Sequence, residues 1–300
     1  MRDGGGSADG PPDGGTRSPT GGLMPTGGLM PTGGLAPMDR ALAVALEAAD
    51  IAVEILHSTP RGEVRTKAHA ADPVTDIDLA TERAVREHLG AAFPDHVVVG
   101  EELGGTSQGG PTWYCDPVDG TTNLAAGLPW TSFSLALAVG HRPLVGVVAD
   151  PWRREVFHAV AGGGAFRRSA HGEDEPVRVA DVDRLAGSVV LTEWAAHIAW
   201  PGMMVMLDGL AGELCTTRIM GSGTLTVTSV GAGRAAGAVI SDFHPEDHLA
   251  GLLICREAGA AVLDAHGEET GWPGPGPFVV AAPAVAGRLH DLVTGGSFQV

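Results

Sequence analysis

Trp113-Tyr114-Cys115-Asp116-Pro117-Val118-Asp119-Gly120-Thr121-Thr122-Asn123 is the stretch on which the reading of the chain turns. Three aromatic or apolar residues lead into Asp116, the pattern of a buried strand that delivers a carboxylate at its tip. Pro117 has no N–H and a fixed φ, which predicts that the strand stops there. The turn then brings Asp119 towards the same spot as Asp116. Two close carboxylates repel unless a cation lies between them or one takes a proton, and oxygen donors of this kind suit Mg2+. Gly120 lets the backbone approach a ligand, and successive N–H groups beside it can form an anion-binding nest. Taken alone, Asp-Pro-x-Asp-Gly is also the signature of a solvated turn.

The flanking chain supplies more carboxylates in the same setting. Upstream, Thr75-Asp76-Ile77-Asp78 precedes a helix expected over about 79–92, with Asp78 as its N-cap and Glu82 early in the helix, where the dipole favours it. Val97-Val98-Val99 reads as a short buried strand that delivers Gly100-Glu101-Glu102, and residues 103–111 as a loop. Downstream, 124–129 reads as a loop, and three apolar runs (132–139, 144–148, 156–160) read as an antiparallel meander. Gly162-Gly163-Gly164 lacks a following Gly-Lys-Ser/Thr and is read as a plain turn. The second half alternates strands (189–192, 238–240, 260–263, 278–281) with helices (202–214, 223–233, 249–258, 284–292), which argues for an α/β layer. Asp247 sits where a helix cap is expected, within Asp242-Phe243-His244-Pro245-Glu246-Asp247-His248.

Composition narrows the classes. A chain of 300 residues can bury a sizeable core. A formal charge of −17 disfavours a nucleic-acid backbone as partner. The sequence has no 18-residue apolar run and no secretory leader pattern, so a cytoplasmic protein without a membrane partner is expected. Cys115, Cys215 and Cys255 read as reduced, buried thiols. Residues 1–37, rich in Gly, Pro, Ser and Thr, carry three copies of a Thr-Gly-Gly-Leu-Met/Ala-Pro unit and read as a disordered tail. Met38, just before the first helical pattern (38–56), would be a natural start of translation. The rest divides into an α+β metal-site subdomain (38–184) and an α/β subdomain (185–300).

Five patterns together resemble the inositol monophosphatase family. They are Lys67 with Asp72-Pro73-Val74-Thr75-Asp76-Ile77-Asp78; Phe93-Pro94-Asp95-His96 with Gly100-Glu101-Glu102; Asp116-Pro117-Val118-Asp119-Gly120-Thr121-Thr122-Asn123; Gly146-Val147-Val148 with Gly163-Gly164-Ala165-Phe166; and Gly221-Ser222 with Gly233-Arg234 and Asp247. Their order and spacing match over about residues 40–265. The resemblance implies a layered α-β-α-β-α sugar-phosphatase fold and lithium-sensitive, Mg2+-dependent hydrolysis of a small phosphate monoester, with two to three ions. By position, Glu101, Asp116 and the Val118 carbonyl would hold one ion, and Asp116, Asp119 and Asp247 a second. A third, weaker ion would also use Glu101. Thr121 with Glu101 would orient the attacking water, and the N–H groups of Gly120 and Thr121 would bind phosphate. Thr122 is the residue common among inositol-type members. Lys67 reads either as a phosphate contact or as an exposed surface lysine. A homodimer is compatible with the family.

The departures fall on the substrate side. Ile240 stands where a glutamate commonly contacts a substrate hydroxyl, and Glu246 stands where tryptophan usually precedes the metal Asp. Asp242, His244 or His248 are candidate substitutes, and Trp130 reads either as lining of the pocket mouth or as a core or dimer-interface residue. A small polyol or sugar phosphate is the expected substrate. Histidinol phosphate, or a catalytically idle relative that binds metal or an anion, are the alternatives.

Overall fold

The computed structural model describes residues 35–60, 64–66, 73–195 and 197–295. Helix α1 (Leu35–Ser58) begins inside the stretch read as tail. Pro37 does not prevent this, because a first-turn N–H has no helical partner to lose. The remainder of that stretch, and the motif residues Lys67 and Asp72, lie outside the described residues. A short antiparallel pair, β1 (Arg65–Thr66) and β2 (Pro73–Val74), leads to α2 (Asp76–Ala92). Thr75, not Asp78, is the N-cap of α2. Its hydroxyl accepts the Ile77 N–H at 3.2 Å, and Asp78 reaches back to the Thr75 N–H at 3.0 Å. A capping box places its carboxylate at the third helical position, so the helix starts earlier than its apolar pattern suggests.

The next strands form one seven-stranded sheet in chain order. They are β3 (Val97–Gly100), β4 (Pro111–Asp119), β5 (Ser132–Val139), β6 (Arg142–Asp150), β7 (Glu155–Val160), β8 (Ala165–Arg168) and β9 (Asp174–Pro176). Only β3–β4 pair in parallel, and the expected meander is present. Strand β3 is an edge strand, and its valines are half-buried rather than buried. Strand β4 does not stop at Pro117. Its ladder with β5 runs to Asp116–Ser134, breaks, and resumes at Asp119–Ser132. Pro117 falls in that break, where no ladder N–H is required. The loop expected after Asn123 begins as a short helix, α3 (Thr121–Ala126), closed by Gly127. Strands β8 and β9 escaped the sequence reading because they are short and charged; Arg168–Asp174 and Arg167–Glu175 pair across them. The glycine turn 162–164 is a plain turn, with the Glu257 carboxylate accepting the N–H groups of Gly162 (2.8 Å) and Gly164 (2.9 Å).

The second half supplies β10 (Val189–Thr192), α4 (Met203–Gly212), β11 (Thr216–Ile219), α5 (Gly223–Gly231), β12 (Gly237–Ile240), α6 (Pro245–Glu257), β13 (Ala261–Leu263), β14 (Phe278–Ala281) and α7 (Pro283–Thr294). The sheet order is β11-β10-β12-β14-β13, with β10 parallel to both of its neighbours. Helix α6 starts at Pro245, earlier than expected. His244 caps it without a side-chain bond, so Asp247 lies in the first turn and is not the cap.

Side chains alternate between the faces of each sheet. In β5, Phe133, Leu135 and Leu137 pack with α1 and α2, while Ala136 and Ala138 face α6. In β12, Val239 packs with α4 and α7, while Ala238 and Ile240 face the α5 and α6 side. The result is five layers, α1/α2, the first sheet, α5/α6, the second sheet and α4/α7, which is the expected α-β-α-β-α arrangement. Cys115 and Cys255 are buried, whereas Cys215 is only half-buried.

Gly146 is where α6 meets the first sheet. A Cβ there would lie 2.8 Å from the Ala250 carbonyl oxygen and 3.0 Å from its Cα. Gly146→Ala should therefore lower stability by about 1–3 kcal/mol, read as an earlier urea midpoint; an unchanged midpoint would show that the layers can separate freely.

Candidate active site

One cleft of about 750 Å3 opens where both sheets end. The first sheet delivers Glu101 just after β3, and Asp116, Val118 and Asp119 from β4. All three parallel strands of the second sheet point their carboxyl ends into the same space: Glu193, Trp194 and Ala195 follow β10, Gly221 follows β11, and Ser241 and Asp242 follow Ile240 of β12. Ligands bind at this end of parallel strands because the loops there are free to diverge. Glu246, Asp247 and His248 from the first turns of α6 complete the wall.

The predicted metal, catalytic and phosphate residues Glu101, Asp116, Val118, Asp119, Gly120, Thr121, Thr122 and Asp247 all line this cleft; Trp130 does not, and Lys67 lies outside the described residues. Asp116 is 2 % exposed. Burial, then the charges of Glu101, Asp247 and Asp119, push its carboxyl well above the usual range, and it shares a hydrogen bond with Glu101. Burial pushes Asp119 up to about 6, against the hydrogen bonds it accepts. Those donors converge on one oxygen, Oδ2, from Ser222 Oγ, Thr224 N (2.9 Å) and Ser132 Oγ (3.3 Å). Among the described residues, no three Asp, Glu, His or Cys side chains close into a compact ligating group. Like charges that share a cleft stand apart or share a proton. The donor set is nonetheless all oxygen and mutually repulsive, which fits a hard divalent cation.

Turn geometry sets the anion side. Gly120 has φ +89°, and a Cβ there would lie 2.8 Å from the Gly221 carbonyl oxygen. Thr121 Oγ1 lies 3.0 Å from both Asp78 Oδ1 and the Val118 carbonyl oxygen, which share its single O–H. Asp78 is fully buried, and desolvation raises its carboxyl pKa. The sequence reading gave Asp78 the task of a cap; the structure gives it Thr121 as well. Glu82, also fully buried, accepts the N–H groups of Glu102 (2.8 Å) and Leu103 (3.2 Å) and so fixes the loop that carries Glu101.

Glu193 was missed altogether. It accepts Gly221 N (2.7 Å), Met220 N (3.3 Å) and Thr226 Oγ1 (2.6 Å). Its signal was an acidic residue directly after the apolar run 189–192, the same pattern that exposed Glu101. Of the candidate substrate contacts, Ile240, Asp242, His244 and His248 all line the cleft. His248 is buried and pushed down to about 3, with Nδ1 accepting the His244 N–H at 3.1 Å. Trp130 is half-buried beneath the Arg153 guanidinium (4.4 Å), and its carbonyl holds Asn123 Nδ2 at 2.8 Å.

The inositol monophosphatase family model matches residues 36–295. The chain belongs to the inositol monophosphatase family. It is 36 % identical over 263 residues to Nus factor SuhB of Pasteurella multocida, covering 85 % of this chain and 96 % of that one. It is 33 % identical over 247 residues to inositol monophosphatase 2 of Solanum lycopersicum, covering 77 % and 90 %. Among solved structures, the Thermotoga maritima IMPase superposes with a TM-score of 0.75 at 28 % identity, covering 85 % of this chain and 97 % of that one. As a member of the inositol monophosphatase family the chain is a phosphoric monoester hydrolase, and the family is metal-dependent. None of the described helices is long and apolar enough to cross a membrane.

The carboxyl shifts carry a pH consequence. Asp119, at about 6 when folded, keeps a proton that an unfolded aspartate, at about 3.9, has lost. The folded state binds more protons between those values, so this stabilisation is present below about pH 4 and is lost as pH rises through about 6. The melting temperature of the cation-free protein should fall across that window, and less so in Asp119→Asn. A divalent cation should raise it more at about pH 7.5 than at about pH 5; equal cation effects at both would contradict the assignment.

Proposed function

We propose that this chain is a Mg2+-dependent phosphomonoesterase that hydrolyses a small polyol or sugar phosphate with a metal-activated water. The observation that carries this reading is the cleft in which Glu101, Asp116, Asp119 and Asp247 face the Gly120–Thr121 turn. Glu101, Asp116 and the Val118 carbonyl would hold one ion; Asp116, Asp119 and Asp247 would hold a second. When bound, the ions lower the pKa of water and stabilise charge on the leaving oxygen. Phosphoryl transfer asks the protein for positioning and charge balance rather than a nucleophile of its own. Thr121 donates its hydroxyl hydrogen bond to Asp78 or the Val118 carbonyl, which leaves its oxygen lone pairs to accept a hydrogen bond from the attacking water, with Glu101 alongside. The Gly120 and Thr121 N–H groups orient phosphate oxygens, and exposed Thr122 faces the incoming ester.

The alcohol side of the cleft favours a second reading, histidinol-phosphate hydrolysis. Ile240 and the 43 % exposed Trp194 make one wall apolar, and Asp242 and Glu246 make the rim acidic. Among the described lining residues there is no lysine or arginine. A flat imidazole and an ammonium can stack on such a wall and pair with such a rim, whereas a second phosphate is repelled by it.

Phosphate release from myo-inositol 1-phosphate, histidinol phosphate and fructose 1,6-bisphosphate, with and without Mg2+, tests both readings. Mg2+-dependent turnover of the first supports the polyol reading, and a preference for histidinol phosphate supports the second. No turnover on any of them would point to a catalytically idle relative. Asp119→Asn should remove nearly all turnover with the fold intact by circular dichroism. A mutant with near-normal turnover would sink the metal assignment.

A further inference from the structure

We infer that Glu193 is a positioning residue for the reaction, acting on Asp119 through the β11–α5 turn. The inference rests on the reading of Asp119 as a cation ligand. Glu193 follows the last residue of β10 and lines the cleft, yet its carboxylate is turned into the protein. Oε2 accepts Gly221 N, and Oε1 accepts Met220 N and Thr226 Oγ1. Met220 and Gly221 form the turn after β11, and Thr226 lies in the first turns of α5. One half-buried carboxylate therefore ties the end of one strand to the start of the following helix.

The far side of the turn is held as well. Asn123 Nδ2 donates to the carbonyls of Met220 (2.8 Å) and Gly221 (3.1 Å). Between these clamps the turn presents Ser222 Oγ and the Thr224 N–H to Asp119 Oδ2, with the Gly223 N–H beside them. Ser222 Oγ also caps α5 by accepting the Leu225 N–H at 3.2 Å. Asp119 is thus oriented by a turn whose own position depends on Glu193. Groups that orient a metal ligand typically change cation affinity or activity by 10–100-fold when removed.

Glutamine at 193 can still accept from Gly221 N and donate to the Thr226 hydroxyl, and gives up only the Met220 bond. Alanine leaves all three donors without a partner. The test compares Glu193→Ala, Glu193→Gln, Ser222→Ala and the double variant Glu193→Ala/Ser222→Ala. Mg2+ affinity is read by titration calorimetry, kcat and KM by phosphate release, and folding by thermal melts. Glu193→Ala should weaken Mg2+ binding by about 10–100-fold and lower kcat, with KM for the ester changed far less. Glu193→Gln should recover most of the loss. The double variant should bind Mg2+ no worse than the weaker single variant, because both act through one turn.

Wild-type Mg2+ affinity in Glu193→Ala, a change confined to KM, or additive losses in the double variant would each overturn the inference. If Glu193→Ala does not fold, Glu193→Asp, one methylene too short to reach all three donors, combined with Ser222→Ala gives the additivity test. Asp119→Asn is the control for the underlying reading. Unchanged Mg2+ affinity in that variant would remove the ligand assignment itself, whereas lost affinity there with no effect at Glu193 would overturn this inference alone.

Discussion

Like-charge repulsion at the cleft is the constraint on which the rest of the structure depends. Glu101, Asp116, Asp119 and Asp247 come from a loop, two positions of one strand and a helix in the other half of the chain. Nothing about acidic groups favours gathering four of them in one cleft, least of all with Asp116 buried. They are held there because the elements that carry them are fixed by apolar packing on both faces of both sheets. Further fixed groups position the site: Glu82 holds the loop of Glu101, Ser222 and Thr224 hold Asp119, and Asp78 accepts from Thr121. The site is a destabilised region supported by an ordinary core.

The middle layer makes this geometry possible. Helix α6 packs on the first sheet through Leu249, Ala250, Leu253 and Ile254, and faces the second sheet through Leu252 and Cys255. A helix apolar nearly all round has no amphipathic stripe and is buried on every side. Its polar first turn is the part left at the cleft, and that is where Asp247 sits. The same sandwiching brings the carboxyl ends of β10, β11 and β12 opposite the end of β4.

Much of this was legible in the sequence. Strand ends were visible because apolar runs stop at charged residues, as at Val99–Glu101 and Cys115–Asp116, and the resemblance supplied the layer order. What was not legible depends on partners distant in sequence. Asp78 reads as a cap because its bond to Thr121 spans 43 positions. Glu193 does not stand out in the sequence because its hydrogen-bond donors lie 27 to 33 residues away. Pro117 reads as a stop because only the pairing with β5 reveals a break in the ladder at that point. Strands β8, β9 and β11 lack an apolar run because they are short and lie towards the edges of their sheets.

The order in which the layers are encoded has a consequence for biosynthesis. The seven strands of the first sheet are consecutive in the chain and can pair with their neighbours as they emerge. The helix that covers one of their faces comes only at residues 245–257. Until then Tyr114, Ala136, Val148 and Phe157 present a bare apolar surface. A nascent chain of this protein therefore passes through a long interval in which a finished sheet waits for its cover, and in that interval the ribosome-bound intermediate is most exposed to aggregation and most dependent on chaperones.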